Sequence, residues 1–196
     1  IDSGSTDGTL ELCKAFPVRL ITINPGTFNH GATRNWGIAQ ARGEYIVLIT
    51  QDAIPYNKVW LSSLIENLEA DDLVAGVYSR QIPKPDCDFF TLQDSKHWLT
   101  ARTERVVSFM GDGTLYQQMT PFERRVFVGF DNVSSCLRRS VWERIPFEPT
   151  QFAEDLIWGL KVLQAGYKIV YEPRSIVIHS HNRPIKYIFK RTYLEH

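Results

Sequence analysis

Four polar segments of this chain carry residue types that could do chemistry. Asp2-Ser3-Gly4-Ser5-Thr6-Asp7-Gly8-Thr9 is dense in turn formers and hydroxyls. Such a turn, ending a strand and opening a helix, offers backbone N–H groups and a positive helix end. Asp2 at the strand's carboxyl end, where ligands bind in open α/β sheets, could accept hydrogen bonds from a base or ribose. Thr50-Gln51-Asp52-Ala53-Ile54-Pro55 follows an apolar run, and Asp52 in its turn can hold a divalent cation. Hard oxygen ligands suit Mg²⁺ or Mn²⁺, with substrate phosphates supplying further ligands. Phe152-Ala153-Glu154-Asp155 opens a helix, whose N-terminal end would help keep Asp155 ionised and ready to take a proton. His179-Ser180-His181-Asn182 follows a strand and can complete a Mn²⁺ or Mg²⁺ shell with imidazole. The two histidines are expected on opposite sides of the segment, so at most one should face a given site. Each segment also has an ordinary alternative: a capped turn, a turn former, a helix-dipole partner and a packed histidine.

These segments need elements to position them. Ser5, Thr6 or Asp7 can cap a short helix around Leu10, Leu12 and Phe16. Val18 to Ile23 predicts a strand, Pro25 to Thr33 a loop, and Arg34 to Ala41 a helix stopped near Gly43. Tyr45 to Thr50 is continuously apolar, as in a buried parallel strand. Trp60 to Leu68 predicts a helix and Leu73 to Tyr78 a strand. The alternation argues for an open, mostly parallel α/β sheet flanked by helices. Residues 81–130 form a long excursion broken by Pro83, Pro85 and Pro121, with one helix expected from Thr91 to Val107. Asn132 to Leu137 then predicts a strand and Asp155 to Gln164 a helix ending at Gly166. Leu156, Leu160 and Leu163 would anchor that helix on the sheet. Lys168 to Tyr171 and Ser175 to His179 predict short strands.

The bulk numbers exclude several classes. The 196 residues suffice for one domain with a sizeable core. Lys+Arg and Asp+Glu are both 22, so no basic excess points to nucleic acid. No apolar run reaches the roughly 18–20 residues that span a bilayer. Three dispersed cysteines make neither a disulfide framework nor a zinc knuckle, and fit a reducing compartment. The chain opens at Ile1 without Met and closes on Leu194-Glu195-His196, which reads as the start of a histidine tag. Residues 1–193 are therefore expected to form a single, N-terminally incomplete catalytic domain, and 194–196 a tag remnant.

The order of the motifs adds to their chemistry. The Asp2 to Thr9 turn is followed by Arg34-Asn35-Trp36-Gly37-Ile38-Ala39 and Arg42-Gly43-Glu44-Tyr45-Ile46-Val47-Leu48. Asp52, Glu154-Asp155 and Glu172-Pro173 come next. This series resembles the large inverting GT-A glycosyltransferase family (family 2-like) over nearly the whole chain. Phe28-Asn29-His30-Gly31-Ala32-Thr33-Arg34-Asn35, with Thr50-Gln51-Asp52-Ala53 and His179-Ser180-His181-Asn182, is similar to its rhamnosyltransferase-type branch. The resemblance implies a GT-A fold whose usual first strand and helix are missing here. It implies nucleotide or donor contacts from Asp2, Ser3, Gly4, Arg34, Gln51 and Asp52. It implies metal binding by Asp52 with His179 or His181, and Asp155 as catalytic base beside Glu154. The metal-binding DxD signature reads Thr50-Gln51-Asp52, so its first acid is absent.

The implied reaction is a single displacement. A sugar, with rhamnose the leading choice, passes from a dTDP or UDP donor to a hydroxyl of a glycan or lipid-linked acceptor, in surface polysaccharide synthesis. Asn132 and the aromatics Trp98, Phe109, Tyr116 and Phe130 are the acceptor-side candidates. The broken DxD motivates an alternative: a nucleotide-sugar-binding domain without transfer activity. A dinucleotide-dependent enzyme is disfavoured, because no G-x-G-x-x-G loop follows a predicted strand. The expected location is the cytoplasm. Residues 183–191, mixed basic and apolar, could contact the inner face of an anionic membrane.

Overall fold

In a computed structural model of the chain, which describes residues 1–150, 152–184, 186–187 and 189, the apolar run Tyr45–Ile49 is a strand, β1. Helices α1 (Thr9–Lys14) and α2 (His30–Gln40) precede it. After it come β2 (Ile54–Pro55), α3 (Trp60–Ala70), β3 (Val74–Ile82), α4 (Phe89–Ser95) and β4 (Val106–Phe109). Then follow α5 (Thr114–Gln118), α6 (Pro121–Phe127), β5 (Ser134–Arg138), α7 (Arg139–Trp142), α8 (Glu154–Gln164) and β6 (Lys168–Ile178).

The sheet runs β1-β5-β3-β6-β2, with β4 added beside β6. Among the described strands of this sheet only β3 and β6 pair in parallel; the β1–β5, β3–β5, β2–β6 and β4–β6 pairs are antiparallel. The sheet is thus mixed, where a mostly parallel one was expected. Of β1, which lies at the sheet's edge, only Ile46 is buried and Ile49 is exposed, so its continuous apolarity reports neither burial on both faces nor strand direction. β5, from late in the chain, inserts between β1 and β3 and runs against both.

Side chains alternate across this sheet. Val170 and Cys136 face α3, where they meet Leu64, Leu68, Val74 and Val77. Ile169, Tyr171 and Leu137 face the other way, into a larger cluster with Ile38 of α2 and Trp158, Val162 and Leu163 of α8. Trp158 and Val162, one and two turns on from Glu154, are the buried anchors of α8. Of the three expected leucines only Leu163 is buried; Leu156 and Leu160 pack at the margin. Glu154 shares the Trp158 face and therefore points inward, 5% exposed. Gly159 permits the close fit of α8, since a Cβ there would lie 2.1 Å from the Val128 carbonyl oxygen.

Other elements also depart from expectation. Val18 to Ile23 forms a single bridge instead of a strand. Asp2 N–H donates to the Ile21 carbonyl and Ile23 N–H to the Asp2 carbonyl. One residue cannot make a ladder. Helix α2 begins at His30 inside the expected loop, because the Asn29 side chain accepts from Ala32 N–H at 2.9 Å and caps it. The helix expected from Thr91 to Val107 stops at Ser95. Val106 and Val107 instead pair with Tyr171 and Val170, as suits β-branched residues on a pleated surface. The two short strands expected after Gly166 are one strand, β6. Its register shifts between Glu172, opposite Ser79, and Ile176, opposite Arg80. Pro173 falls inside that irregularity, where its missing N–H breaks no ladder bond. The proposed tag remnant 194–196 lies outside the described residues.

Candidate active site

Asp52 sits in the turn after β1, and His179 follows the end of β6. His179 N–H donates to the Ile82 carbonyl at 2.9 Å, which extends the β3–β6 ladder by one residue. His179 Nε2 lies 3.6 Å from Asp52 Oδ1, and His181 Nε2 lies 3.1 Å from Asp52 Oδ2. Both imidazoles therefore reach one carboxylate, contrary to the expectation of a single ligand. Residues i and i+2 of an extended segment share a face. The excursion after β3 holds this segment from behind. Ser180 Oγ accepts from Lys84 N–H at 3.0 Å, Asn182 Oδ1 from Asp88 N–H at 2.9 Å, and the His181 carbonyl from Thr91 Oγ1 at 3.3 Å.

The donor set fits a divalent cation. One ligand atom from each of Asp52, His179 and His181 lies within 4.8 Å of the others. One carboxylate and two imidazoles are the ligands that borderline first-row ions such as Mn²⁺ accept. Burial pulls His179 below the ordinary imidazole value and so favours the neutral ring that can ligate. Burial alone would raise Asp52, but attraction to its imidazole neighbours when they carry a proton, His179 foremost, outweighs it and holds the carboxyl low.

The second half of the site is a group of carboxylates around the start of α8. Arg34 Nη1 donates to Glu154 Oε1 at 2.6 Å, and Asn132 Nδ2 donates to the same oxygen at 3.4 Å. Arg34 is aimed by α2, which Asn35 fastens to the 142–147 segment. Asn35 Nδ2 donates to the Phe147 carbonyl at 2.7 Å, and its Oδ1 accepts from Trp142 Nε1 at 2.8 Å. Asp155, the next residue, is pushed up from 3.8 to about 7. Burial is the main cause, followed by the charges of Asp131 and Glu154; the backbone N–H groups of Leu156 and Asn132 oppose them. The expected helix-end preference for an ionised Asp155 is thus outweighed. Ala153, just before the pair, holds a left-handed φ of 59° without being glycine. Such a conformation costs about 1–2 kcal/mol, and it sits where the chain turns the two acids inward.

Two residues that sequence reasoning missed join these halves. Asp131 Oδ1 accepts from Val133 N–H at 2.8 Å, and its Oδ2 accepts from Gln81 Nε2 at 2.9 Å. Gln81 Oε1 lies 2.9 Å from His179 Nδ1. Burial raises Asp131, against its bonds to Val133 and Gln81. The available signals were a polar Gln within the apolar β3 run and a carboxylate directly before Asn132.

The remaining expected residues have the following partners. Asp2 accepts from Gly4 N–H at 2.8 Å, from Ser5 N–H at 3.0 Å and from the Ser5 hydroxyl. These bonds, the Ser5 hydroxyl foremost, keep it below the usual carboxylate range. Its side chain closes its own loop, with Ser3 and Gly4 exposed beside it. Gln51 is exposed in the Asp52 turn. Asn132 is 2% exposed; it donates to Glu154 Oε1 and accepts from the Ser135 hydroxyl. Trp98 Nε1 donates to Asp94 Oδ2 at 2.9 Å, a bond within its own excursion. Phe130 is core, 4.6 Å from the Trp158 ring, and Tyr116 packs on Phe127. Phe109 lies on β4 with Lys168 Nζ 5.7 Å from its ring.

The chain as a whole is similar to known proteins. The O-antigen chain rhamnosyltransferase WbaN of Salmonella anatum is 34% identical over 196 residues, covering 98% of this chain and 59% of its own length. The O-antigen chain rhamnosyltransferase RfbN of Salmonella typhimurium (strain LT2) is 31% identical over 197 residues, covering 98% and 60%. The chain thus spans about three fifths of these relatives. In fold it is similar to the mannosyltransferase PcManGT of Pyrobaculum calidifontis, solved with GDP-Man and Mn²⁺, at a TM-score of 0.59 and 20% identity. That match covers 94% of this chain and 47% of the other. It is similar also to S. aureus TarS 1-349, solved with UDP-GlcNAc, at a TM-score of 0.63 and 14% identity, covering 93% and 49%. These neighbours are GT-A glycosyltransferases, so the mixed sheet with its flanking helices is part of a GT-A fold. The profile of glycosyl transferase family 2 matches residues 1–136, and the chain belongs to that family.

Proposed function

We propose that this chain carries the catalytic part of an inverting, metal-dependent glycosyltransferase. It would move rhamnose from a nucleoside-diphosphate donor, dTDP or UDP, to a hydroxyl of a growing O-antigen-type or lipid-linked glycan. The observation that carries the reading is the pairing of a carboxyl raised to about 7, Asp155, with a cation-ready triad, Asp52, His179 and His181. The donor and acceptor classes are taken from the rhamnosyltransferases to which the chain is similar.

Asp155 acts as the general base. A base whose pKa lies near the working pH combines ionisation with proton affinity. It takes the acceptor's hydroxyl proton as that oxygen bonds to the anomeric carbon. The bond from that carbon to the donor phosphate breaks, and the electron pair leaves with the nucleoside diphosphate. Attack opposite the leaving group inverts the centre. Glu154, clamped by Arg34 and Asn132, fixes the first turn of α8 and with it the aim of Asp155. A cation held by Asp52, His179 and His181 would stabilise charge on the departing diphosphate when bound. Asp2, Ser3, Gly4, Arg34 and Gln51 belong to the nucleotide side in this reading.

The reading includes a cytoplasmic protein that meets the membrane's inner face through 183–191. Among the described residues no helix is long and apolar enough to cross a membrane. Arg183 and Tyr187 stack, 4.7 Å from guanidinium to ring centre. Ile185, Ile188, Lys190 and Arg191 lie outside the described residues.

The test is release of dTDP from dTDP-rhamnose with Mn²⁺ and an O-antigen-type acceptor. Turnover should rise from acid pH with a midpoint near 7, and Asp155→Asn should lower it by about 10²–10⁴. Undiminished turnover in Asp155→Asn would refute the base assignment. Donor binding without any turnover in the wild type would favour the non-transferring alternative.

A further inference from the structure

Gln81, 6% exposed near the end of β3, bridges the two halves of the site with one amide. Its Nε2 donates to Asp131 Oδ2 at 2.9 Å, and its Oε1 lies 2.9 Å from His179 Nδ1. With Nε2 donating to Asp131 Oδ2, whose other oxygen accepts from Val133 N–H, the amide oxygen is left facing His179. That oxygen cannot donate, so the hydrogen of the contact belongs to Nδ1. A neutral imidazole protonated at Nδ1 presents a lone pair at Nε2. Nε2 faces Asp52 Oδ1 at 3.6 Å, beyond a good hydrogen bond, with a lone pair on each atom. Such a pair repels until a cation lies between.

We infer that Gln81 is a positioning residue for the cation site: anchored by Asp131, it fixes His179 in the Nδ1–H tautomer and presents Nε2 as the ligand. The inference rests on the reading of Asp52, His179 and His181 as that site. One amide thereby links the carboxylate group around Asp155 to the cation. It also gives Asp131 a defined task, to orient the amide.

Long-range ¹H–¹⁵N correlation spectra of the histidine rings test the inference without metal or substrate. They would be recorded at about pH 8, where imidazole is neutral, with His179→Ala supplying the assignment. Wild-type His179 should carry its proton on Nδ1, and Gln81→Leu should move it substantially to Nε2. A wild-type ring protonated at Nε2 means the amide is turned the other way, and overturns the inference whether or not Mn²⁺ binds. Mn²⁺ titration followed by electron paramagnetic resonance is the second arm. Gln81→Leu should weaken binding about 10–100-fold, as for other partners of ligating histidines. Gln81→Glu keeps an acceptor opposite Nδ1 and should hold Mn²⁺ far better than Gln81→Leu. Metal-free melting temperatures verify that both variants fold. Equal loss in two folded variants, or no loss in either, overturns the inference. A wild type that binds no Mn²⁺ defeats the cation-site reading and the ligand role with it, while the tautomer spectrum still decides what Gln81 does to His179.

Discussion

Replacing Asp155 with Asn should stabilise the protein at alkaline pH while lowering turnover by orders of magnitude. The carboxyl has an ordinary value of 3.8 and stands at about 7 in the fold. Well below pH 3.8 folded and unfolded chains both hold the proton, and the residue contributes no difference. As pH rises from 3.8 toward 7 the unfolded chain releases its proton first, which favours unfolding. Above that window both states are ionised and the penalty is constant. About three factors of ten correspond to about 4 kcal/mol. Asp155 keeps some solvent contact, so about 2–4 kcal/mol is expected. Asn is neutral, and its carbonyl can still accept from Leu156 N–H, now 2.9 Å from Asp155 Oδ1. For a chain of this size the gain is roughly 5–10 °C in Tm. The assay is thermal unfolding of both proteins at about pH 4.5 and pH 8.5. The variant should gain little at the lower pH and several degrees at the higher. A difference independent of pH, or a variant less stable at the higher pH, would refute the burial argument.

Arg34→Ala strands the Glu154 carboxylate, whose side chain is 7% exposed. It should cost about 3–5 kcal/mol in chemical denaturation, with much of the loss recovered by adding Glu154→Leu. Gly159→Ala places a Cβ 2.1 Å from the Val128 carbonyl oxygen. It should destabilise by about 1–3 kcal/mol or more and lower turnover, because α8 carries the acids. Ala153→Gly relieves the φ of 59° and should raise stability by up to about 1 kcal/mol in the same assay.

The carboxylate pair and Asp52 were legible in the sequence because each sits beside a strong local signal. Glu154-Asp155 opens a periodic apolar helix, and Asp52 follows the five-residue apolar strand β1. Gln81 and Asp131 were not legible. Their roles arise only when the parallel β3–β6 register brings Gln81 to His179, 98 residues away, and the fold brings it to Asp131, 50 residues away. Local propensity says nothing about such pairings. For the same reason β4 was missed: Val106 and Val107 follow a helical stretch, and only β6 beside them makes the segment a strand. Both histidines lie beside Asp52, because residues i and i+2 of an extended segment share a face. Strand direction was misjudged because apolar content carries no polarity, and β5 arrives from far along the chain.

The central claim is that Asp52, His179 and His181 hold a cation through which the donor's diphosphate binds. Titration calorimetry of dTDP into the protein, with Mn²⁺ and then with a chelator, tests it most directly. Binding should be at least about tenfold tighter with Mn²⁺, a difference of about 1.4 kcal/mol, and that difference should disappear in Asp52→Ala. Equal affinity with and without Mn²⁺, or full Mn²⁺ dependence in Asp52→Ala, would contradict it.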